Sequence, residues 1–270
     1  MATLSRKKLI NDFESDGFVH LHGLFPKELI YAKLQLLCRT ASFCLKQLGT
    51  PNFQSNYEDH PSYSEVCEIL EELQKVTSRD SYIGFMKAAA LSVQTRKIFS
   101  ADQLLNVIST LLGHDNISQI GNPVLHVVGD NLSIDKTPLN SPYHQDWPSL
   151  QTSKKTIIAW IPLGKTPADQ GLKIKRGSHR NGVIQPTRLS NVYEICDAEH
   201  SKFNTFKIDM EMGDCLLMDS LVVHGSNHFE GARLSLSGRF ENLLCEDWSQ
   251  RNYQSTHRYY LERPNELKII

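Results

Sequence analysis

Through the first 115 residues, apolar side chains recur every three to four positions, the spacing of a helix that buries one face. Leu9, Ile10 and Phe13 form such a face, and Gly17 is well placed to end that helix. A short apolar run at 18–21 then has the length of a strand. The pattern predicts helices at 7–15, from Pro26 onwards, at 64–76 and at 101–112.

The pattern changes from Asn122 onwards. Segments become shorter and richer in Val, Ile and Thr, and Gly, Pro, Asn and Asp separate them. Several short strands divided by turn residues are typical of a sandwich or barrel. Helices followed by strands indicate an α+β fold around one core. The predicted strands are 123–128, 156–161, 206–210, 215–218 and 234–240.

Neither a repeat nor a Gly/Ser-rich linker divides the 270 residues. We therefore expect a single domain over 1–270, with a mainly helical part at 1–115, a strand-rich core at 120–245 and a C-terminal extension at 246–270. A chain of this length can bury a large core without disulfides.

The composition limits the classes of partner that this protein is expected to bind. The formal net charge of −1 gives no broad basic face for nucleic acid. No apolar run reaches the roughly 18 residues of a membrane span, and the first residues do not resemble a signal peptide. Six scattered cysteines form no CxxC pair and read as reduced thiols. We expect a cytoplasmic protein with a small-molecule substrate, and the sequence does not indicate an oligomeric state.

The most informative stretch is His144-Gln-Asp146. Side chains two residues apart in extended backbone point to the same side, so an imidazole and a carboxylate could meet on one ion. A turn at 213–214 and an apolar strand follow, and His224, at the far end of a β segment, would supply a third ligand. Two histidines and a carboxylate occupy one face of an octahedral iron(II), leaving room for a bidentate cosubstrate and dioxygen. Arg233 could form a fork to a carboxylate.

Taken in order, these motifs resemble the phytanoyl-CoA dioxygenase family of iron(II)- and 2-oxoglutarate-dependent oxygenases. The resemblance extends from about residue 8 to 245. The matching motifs are Phe13-Glu-Ser-Asp-Gly-Phe18, His144-Gln-Asp146-Trp147, Trp160-Ile-Pro-Leu163, Gly171-Leu172, Gly177-Ser178-His179, Gly213-Asp214, His224-Gly-Ser226 and Arg233.

The resemblance implies a fold and a set of roles. The implied fold is a mainly β, α+β double-stranded β-helix, a jelly-roll or cupin-like barrel with flanking N-terminal helices. The implied iron ligands and catalytic residues are His144, Asp146 and His224. Arg233 would bind the distal carboxylate of 2-oxoglutarate, and Ser226 matches a position that can hydrogen-bond it. The implied cofactors are iron(II), 2-oxoglutarate and dioxygen.

One departure from the family pattern leaves two candidates for the arginine that binds 2-oxoglutarate. The loop from His224 to Arg233 is about two residues shorter than is usual in the family, so Arg239 is an alternative ligand for the cosubstrate carboxylate. In halogenases of this family a small residue replaces the acid. Asp146 therefore favours hydroxylation or a related oxidation such as desaturation.

Further expectations concern the surroundings of the site. Tyr143 and Trp147 flank the His-x-Asp motif and are candidate substrate contacts at the barrel mouth. The segment 185–199 and the helical N-terminal part are candidate lids. Lys136 and His228 are expected on surface loops.

Three functions follow as hypotheses. The first is a dioxygenase that hydroxylates or otherwise oxidises a C–H bond of a small-molecule metabolite, forming succinate and carbon dioxide. The second is a cupin-like metalloenzyme that does not use 2-oxoglutarate, which would have no reason to bury Arg233 near the metal. The third is a catalytically inactive barrel acting as a binding module, although such proteins usually lose a ligand. The identity of the substrate is not readable from the sequence.

Overall fold

The computed structural model describes residues 5–50, 60–129, 141–150, 152–189, 193–227 and 231–245, and its longer helices precede most of its strands. The predicted C-terminal extension at 246–270, Lys136 and His228 lie outside these residues. The helices are α1 (Arg6–Asp16), α2 (Lys27–Gln47), α3 (Tyr63–Val76), α4 (Arg79–Ala90), α5 (Val93–Phe99), α6 (Asp102–Leu112), α7 (Trp147–Leu150) and α8 (Asp197–His200).

Serine side chains begin four of these helices by accepting a backbone N–H of the first turn. Ser62 and Glu65 form a full capping box at the start of α3. Gly17, with φ of 82°, ends α1 in the left-handed conformation that its sequence position suggested. The four predicted helices are confirmed. Helices α4 and α5 were missed, and the signals that could have found them are their capping residues Ser78 and Ser92.

The strands form two main antiparallel sheets. The larger has the order β1-β8-β3-β10-β2, the smaller has the order β7-β4-β9, and β5 pairs with β6. The strands are β1 (Phe18–Leu21), β2 (Ile117–Gly129), β3 (Ile157–Pro162), β4 (Leu172–Lys175), β5 (Arg188–Leu189), β6 (Tyr193–Glu194), β7 (Thr205–Lys207), β8 (Cys215–Asp219), β9 (His224–Ser226) and β10 (Ala232–Asn242).

The predicted mixture of helices and antiparallel strands is confirmed, although helices are more prominent than a mainly β description suggests. The strand predicted at 215–218 is confirmed by β8. His224 lies on a separate strand, because β8 ends at Asp219 and β9 belongs to the smaller sheet. The Asp219 carboxylate accepts the backbone N–H of Leu221 at 2.7 Å, which closes a turn at this point.

Two hydrophobic clusters lie on opposite sides of the larger sheet. Helices α2 to α6 pack on one side, where Ile157, Ala159 and Ile161 of β3 point. Ile158 and Trp160 of the same strand point to the other side, toward the smaller sheet. Strand β3 is therefore buried along its whole length, which explains its continuous apolar sequence. The helices close one face of the larger sheet, and the functional side chains lie between the two sheets.

Close packing of helix and sheet depends on one glycine. A Cβ at Gly238 of β10 would come within 2.8 Å of the Phe99 ring of α5. Separately, none of the helices in the described parts of the chain has the length and apolar character needed to cross a membrane.

Candidate active site

Backbone pairing brings the two candidate histidines together. His144 donates its N–H to the carbonyl of His224 at 2.8 Å, and His224 donates to the carbonyl of His144 at 2.9 Å. Gly225 makes this approach possible, because a Cβ there would lie 2.9 Å from the carbonyl oxygen of Ser141. The two imidazole centroids are 4.4 Å apart. The glycine of the His-Gly-Ser motif thus lets the His-x-Asp segment lie directly beside β9.

Asp146 completes a cluster of three possible metal ligands. Its Oδ1 lies 3.5 Å from Nε2 of His144 and 4.0 Å from Nε2 of His224. All three ligand atoms lie within 4.8 Å of one another. An ion about 2 Å from each ligand atom needs those atoms roughly 3 Å apart, so a small inward movement would satisfy it. The donor set and spacing fit a two-histidine, one-carboxylate metal centre.

Hydrogen bonds orient both imidazoles toward the carboxylate. Nδ1 of His144 lies 2.8 Å from the carbonyl of Pro142, and Nδ1 of His224 lies 3.1 Å from that of Val222. A carbonyl can only accept, so each Nδ1 carries the proton and each Nε2 presents a lone pair. Such outer hydrogen bonds fix the ring orientation in metal sites.

Electrostatics favour the protonation states that a metal requires. Burial, together with the neighbouring charge of His144, lowers the pKa of His224 to about 4. Burial alone would raise the pKa of Asp146, but the hydrogen bond with His144 and the charges of His224 and Arg239 hold it well below its usual range. At neutral pH the imidazole of His224 is neutral and Asp146 is ionised, as metal binding demands.

Gln145 fixes the motif from its opposite side. Its amide nitrogen donates to the carbonyls of Gly182 and Leu221 at 2.8 and 2.6 Å, and its oxygen accepts the N–H of Ile184 at 2.8 Å. Sequence reasoning missed this role. The alternation that directs residues 144 and 146 inward could have signalled it, since the residue between them faces away.

A cavity of about 290 Å³ opens beside the three ligands. Ile158, Trp160, Leu172 and Met218 form apolar parts of its wall. Its polar wall includes Arg233, Arg239, Ser226, Ser237 and His126.

Arg233 and Ser226 meet in this cavity, as the resemblance implied. Nη2 of Arg233 donates to Oγ of Ser226 at 3.4 Å, and Nη1 donates to the carbonyl of Gln170 at 2.5 Å. The guanidinium lies 5.7 Å from the centre of the Trp160 ring, and the residue is only 3% exposed. Burial lowers the pKa of Arg233 to about 10, which leaves it charged at neutral pH.

Arg239 lines the same cavity. It follows Arg233 on β10 after a shift in register between Ser237 and Arg239. Its charge is among the causes that lower the pKa values of both Asp146 and His224. Arg239 therefore lies near the metal ligands, whereas Arg233 contacts Ser226, Gln170 and Trp160.

Neither Tyr143 nor Trp147 lines the described wall of the cavity. Tyr143 directly precedes His144, and its ring packs against that of His200 with the centroids 4.1 Å apart. Trp147 begins α7, and its Nε1 donates to the carbonyl of Thr152 at 3.0 Å. Their contact with substrate stays a prediction that this cavity does not support.

The segment predicted as a lid lies next to a metal ligand. Ile195 donates its N–H to the carbonyl of Tyr143 at 2.8 Å, and Glu194 forms a β-bridge with His144. The segment contains β5, β6 and the start of α8, while residues 190–192 lie outside the described residues. Its role as a lid stays a prediction.

Sequence reasoning also missed Tyr63 on α3. Its hydroxyl accepts the N–H of Leu234 at 2.7 Å and lies 3.4 Å from the carbonyl of Ala232. It therefore holds the backbone on both sides of Arg233. No local motif signals this contact, because 171 positions separate Tyr63 from Leu234.

A second His-His-Asp cluster lies away from the cavity. Asp214 is 2.9 Å from Nε2 of His20 and 3.6 Å from Nδ1 of His22. The same carboxylate accepts the N–H groups of Gly23 and Glu211, so a structural role in joining β1 to the turn before β8 accounts for it.

The family and the fold can be compared with known proteins. A family model described as phytanoyl-CoA dioxygenase (PhyH) matches residues 13–233. Among curated protein sequences, none matches this chain.

Solved structures share the fold at low sequence identity. The epimerase SnoN, in complex with Fe3+, alpha ketoglutarate and nogalamycin RO, is 14% identical with a TM-score of 0.56, covering 88% of this chain and 84% of its own. EctD from S. alaskensis, with 2-oxoglutarate and 5-hydroxyectoine, is 16% identical with a TM-score of 0.57, covering 89% and 77%. The carbocyclase SnoK from nogalamycin biosynthesis is 14% identical with a TM-score of 0.56, covering 88% and 84%.

Proposed function

The chain belongs to the phytanoyl-CoA dioxygenase family, and from this we propose that it is a non-heme iron(II)- and 2-oxoglutarate-dependent dioxygenase. Its reaction would hydroxylate or otherwise oxidise a C–H bond of a small-molecule metabolite, with succinate and carbon dioxide as coproducts. The observation that carries this proposal is the cluster of His144, Asp146 and His224 in one cavity with the buried Arg233.

The cofactors predicted from the sequence, iron(II), 2-oxoglutarate and dioxygen, are confirmed by the family and by the donor set. The SnoN structure contains Fe3+ and alpha ketoglutarate, and the EctD structure contains 2-oxoglutarate. When bound, iron and 2-oxoglutarate supply the oxidising chemistry, which the side chains alone lack.

We propose that the two main sheets are the two walls of a double-stranded β-helix within a single domain, 1–270. Their facing apolar residues and the β-bridge between His144 and His224 support this arrangement. Location in the cytoplasm also stays a prediction.

The residues of this chain would bind the metal and 2-oxoglutarate, orient the reactants and shield them from water. His144, the neutral His224 and the ionised Asp146 would hold the metal from one side, leaving its other face open to the cavity. Arg233 and Ser226 would bind the distal carboxylate of 2-oxoglutarate through charge-assisted hydrogen bonds. Apolar wall residues such as Ile158 and Met218 would limit water near the reacting groups. Retention of Asp146 favours oxidation by hydroxylation over halogenation.

The buried guanidinium weighs against the two rival functions. A cupin-like enzyme without 2-oxoglutarate would gain nothing from burying the charge of Arg233 in the cavity of the metal ligands. An inactive binding module would have no reason to retain both the three ligands and this arginine.

Anaerobic titration of the iron(II) protein with 2-oxoglutarate tests the proposal, because the chelate absorbs visible light. We expect saturable binding in the wild type. Loss of a buried charge-assisted pair costs about 2–5 kcal/mol, so Arg233→Ala should weaken binding by at least about tenfold. Absence of binding in the wild type would contradict the function. Weakening by Arg239→Ala but not by Arg233→Ala would instead reassign the cosubstrate arginine.

A further inference from the structure

We propose that Arg239 binds a carboxylate of the primary substrate, so that the enzyme oxidises an organic anion. This inference rests on the proposed function, because it assumes that Arg233 is occupied by 2-oxoglutarate. Its starting point is that two guanidinium groups line one cavity, whereas the cosubstrate needs only one of them for its distal carboxylate.

The charges of the described cavity wall leave one positive charge without a partner. Asp146 is the single acidic residue in the described part of the wall. Burial and the charges of Arg239 and Arg233 lower the pKa of His126 to about 3, so this histidine adds no charge at neutral pH. A divalent iron and two arginines, against Asp146 and doubly charged 2-oxoglutarate, leave an excess of one positive charge. An unpaired buried charge is unfavourable, and a singly charged anionic substrate would neutralise it.

Within the described cavity wall, Asp146 is the one acidic residue near Arg239, and it is also a metal ligand. The Nε of Arg239 is buried and has no hydrogen-bond partner among the described residues. Glu241, two residues further on, is outside the described cavity wall, and its carboxylate accepts the N–H of Ser153 at 2.9 Å. Arg233 differs, because Ser226 and Gln170 already orient its guanidinium. Arg233 is therefore already oriented for the cosubstrate, whereas the guanidinium of Arg239 is available to a second ligand in the cavity.

The two arginines serve different parts of the cavity. They are six positions apart on β10, which corresponds to about 20 Å along a strand. Between them, Ser237 is hydrogen-bonded to Nε2 of His126 at 2.9 Å. Arg239 pairs with Ile158 of β3, and both residues line the cavity that contains Asp146 and His224. Ile158 and Met218 supply an apolar wall, which suits a carboxylate carried on a small hydrocarbon body.

The test compares Arg239→Gln with Arg233→Gln and with Lys173→Gln. Lys173 is a matched charge control, because its ammonium lies over the Tyr143 ring and it does not line the described cavity. In anaerobic titrations, we expect Arg233→Gln to weaken 2-oxoglutarate binding at least about tenfold, while the other two variants stay within about threefold of wild type. Equal weakening by Arg239→Gln would make it a cosubstrate residue and overturn the inference.

The second arm adds butyrate, hexanoate or benzoate, and separately their amides, to the complex with iron(II) and 2-oxoglutarate. The readout is the shift of its visible absorption band. We expect a saturable shift with at least one carboxylate in wild type and in Lys173→Gln. The affinity for that carboxylate should be at least about tenfold weaker in Arg239→Gln. The amides should produce no shift. Equal shifts from amides, or no shift from any carboxylate in wild type, would overturn the inference. If wild type forms no complex with 2-oxoglutarate, the proposed function itself fails.

Discussion

At the scale of single residues, each candidate metal ligand contributes through its protonation state as well as its position. Removing one of the three should strongly lower metal affinity, because each provides a first-row metal with a neutral nitrogen or an anionic oxygen. We expect His144→Ala and Asp146→Ala to retain much less iron than wild type after anaerobic reconstitution and desalting, with Asp146→Ala also losing a charge. Metal analysis measures the iron content directly.

The control is His22→Ala, which removes a histidine from the second His-His-Asp cluster. His22 has a side chain that is 79% exposed, so the substitution should not disturb the fold. Iron content should match wild type in this variant. Normal iron content in His144→Ala together with reduced iron content in His22→Ala would show that the metal binds at the second cluster, of His20, His22 and Asp214.

The sequence predicts single residues well where a strand's alternation decides their direction. His144 and Asp146 are two positions apart and converge as alternation predicts, and His224 joins them by direct backbone pairing with His144. The same alternation argues against Tyr143 in the cavity. Trp147 could not be placed from sequence, since its direction depends on where α7 begins.

At the scale of elements, Tyr63 ties helix α3 to strand β10. Tyr63→Phe removes the acceptor of the Leu234 N–H and leaves that group unsatisfied, which typically costs about 1–3 kcal/mol. The strand on both sides of Arg233 should loosen as well. We expect a lower free energy of unfolding in urea and a several-fold weaker affinity for 2-oxoglutarate, with unchanged iron content.

Tyr31→Phe is the matched control, because the Tyr31 hydroxyl donates to the carbonyl of Pro61 and does not contact β10. It should leave 2-oxoglutarate affinity unchanged. If Tyr63→Phe lowers stability alone and binds 2-oxoglutarate as tightly as wild type, Tyr63 supports only the fold.

Lys33 joins α2 to the junction of α4 and α5. Its ammonium donates to the carbonyl of Ala89 and to Oγ of Ser92, and burial lowers its pKa to about 8. In the unfolded chain its pKa is about 10.4, so between these values the unfolded state binds more protons. The contribution of Lys33 to stability should therefore rise as pH increases from about 8 to about 10.4.

Urea unfolding across this pH range checks the expectation. The difference in free energy of unfolding between wild type and Lys33→Met should move in favour of wild type by up to about 3 kcal/mol. Comparing differences removes the titration of distant groups. Lys46→Met, at an exposed position of α2, is the control and should show no such trend. Parallel curves for wild type and Lys33→Met would contradict the expected change.

Elements were predictable where periodicity or a capping residue marked them. Strand β1 and helix α1 agree closely with the pattern because Gly17 separates them. The strand predicted at 215–218 agrees with β8, but the sheet that His224 joins was not predictable from apolar character. The turn closed by Asp219 ends β8, and the pairing of β9 with β4 places His224 in the smaller sheet.

At the scale of the whole molecule, the helices close one face of the larger sheet and leave the space between the sheets for chemistry. That long-range arrangement could be inferred from the sequence only through the family resemblance, since each contact joins distant segments. The cavity of about 290 Å³ is at the lower end of the roughly 300–1,000 Å³ typical of ligand sites, and it must also hold 2-oxoglutarate. The substrate should therefore be small.

The whole-molecule prediction is coupled turnover. When a panel of small anionic and neutral metabolites is screened, a true substrate should raise oxygen uptake and succinate formation together in about a one-to-one ratio. Isotopically labelled dioxygen should then label the hydroxylated product. Succinate formation that no compound stimulates would contradict oxidation of a small molecule. A chlorinated product in chloride buffer would contradict the role of Asp146, because a carboxylate in that position leaves no place on the metal for chloride.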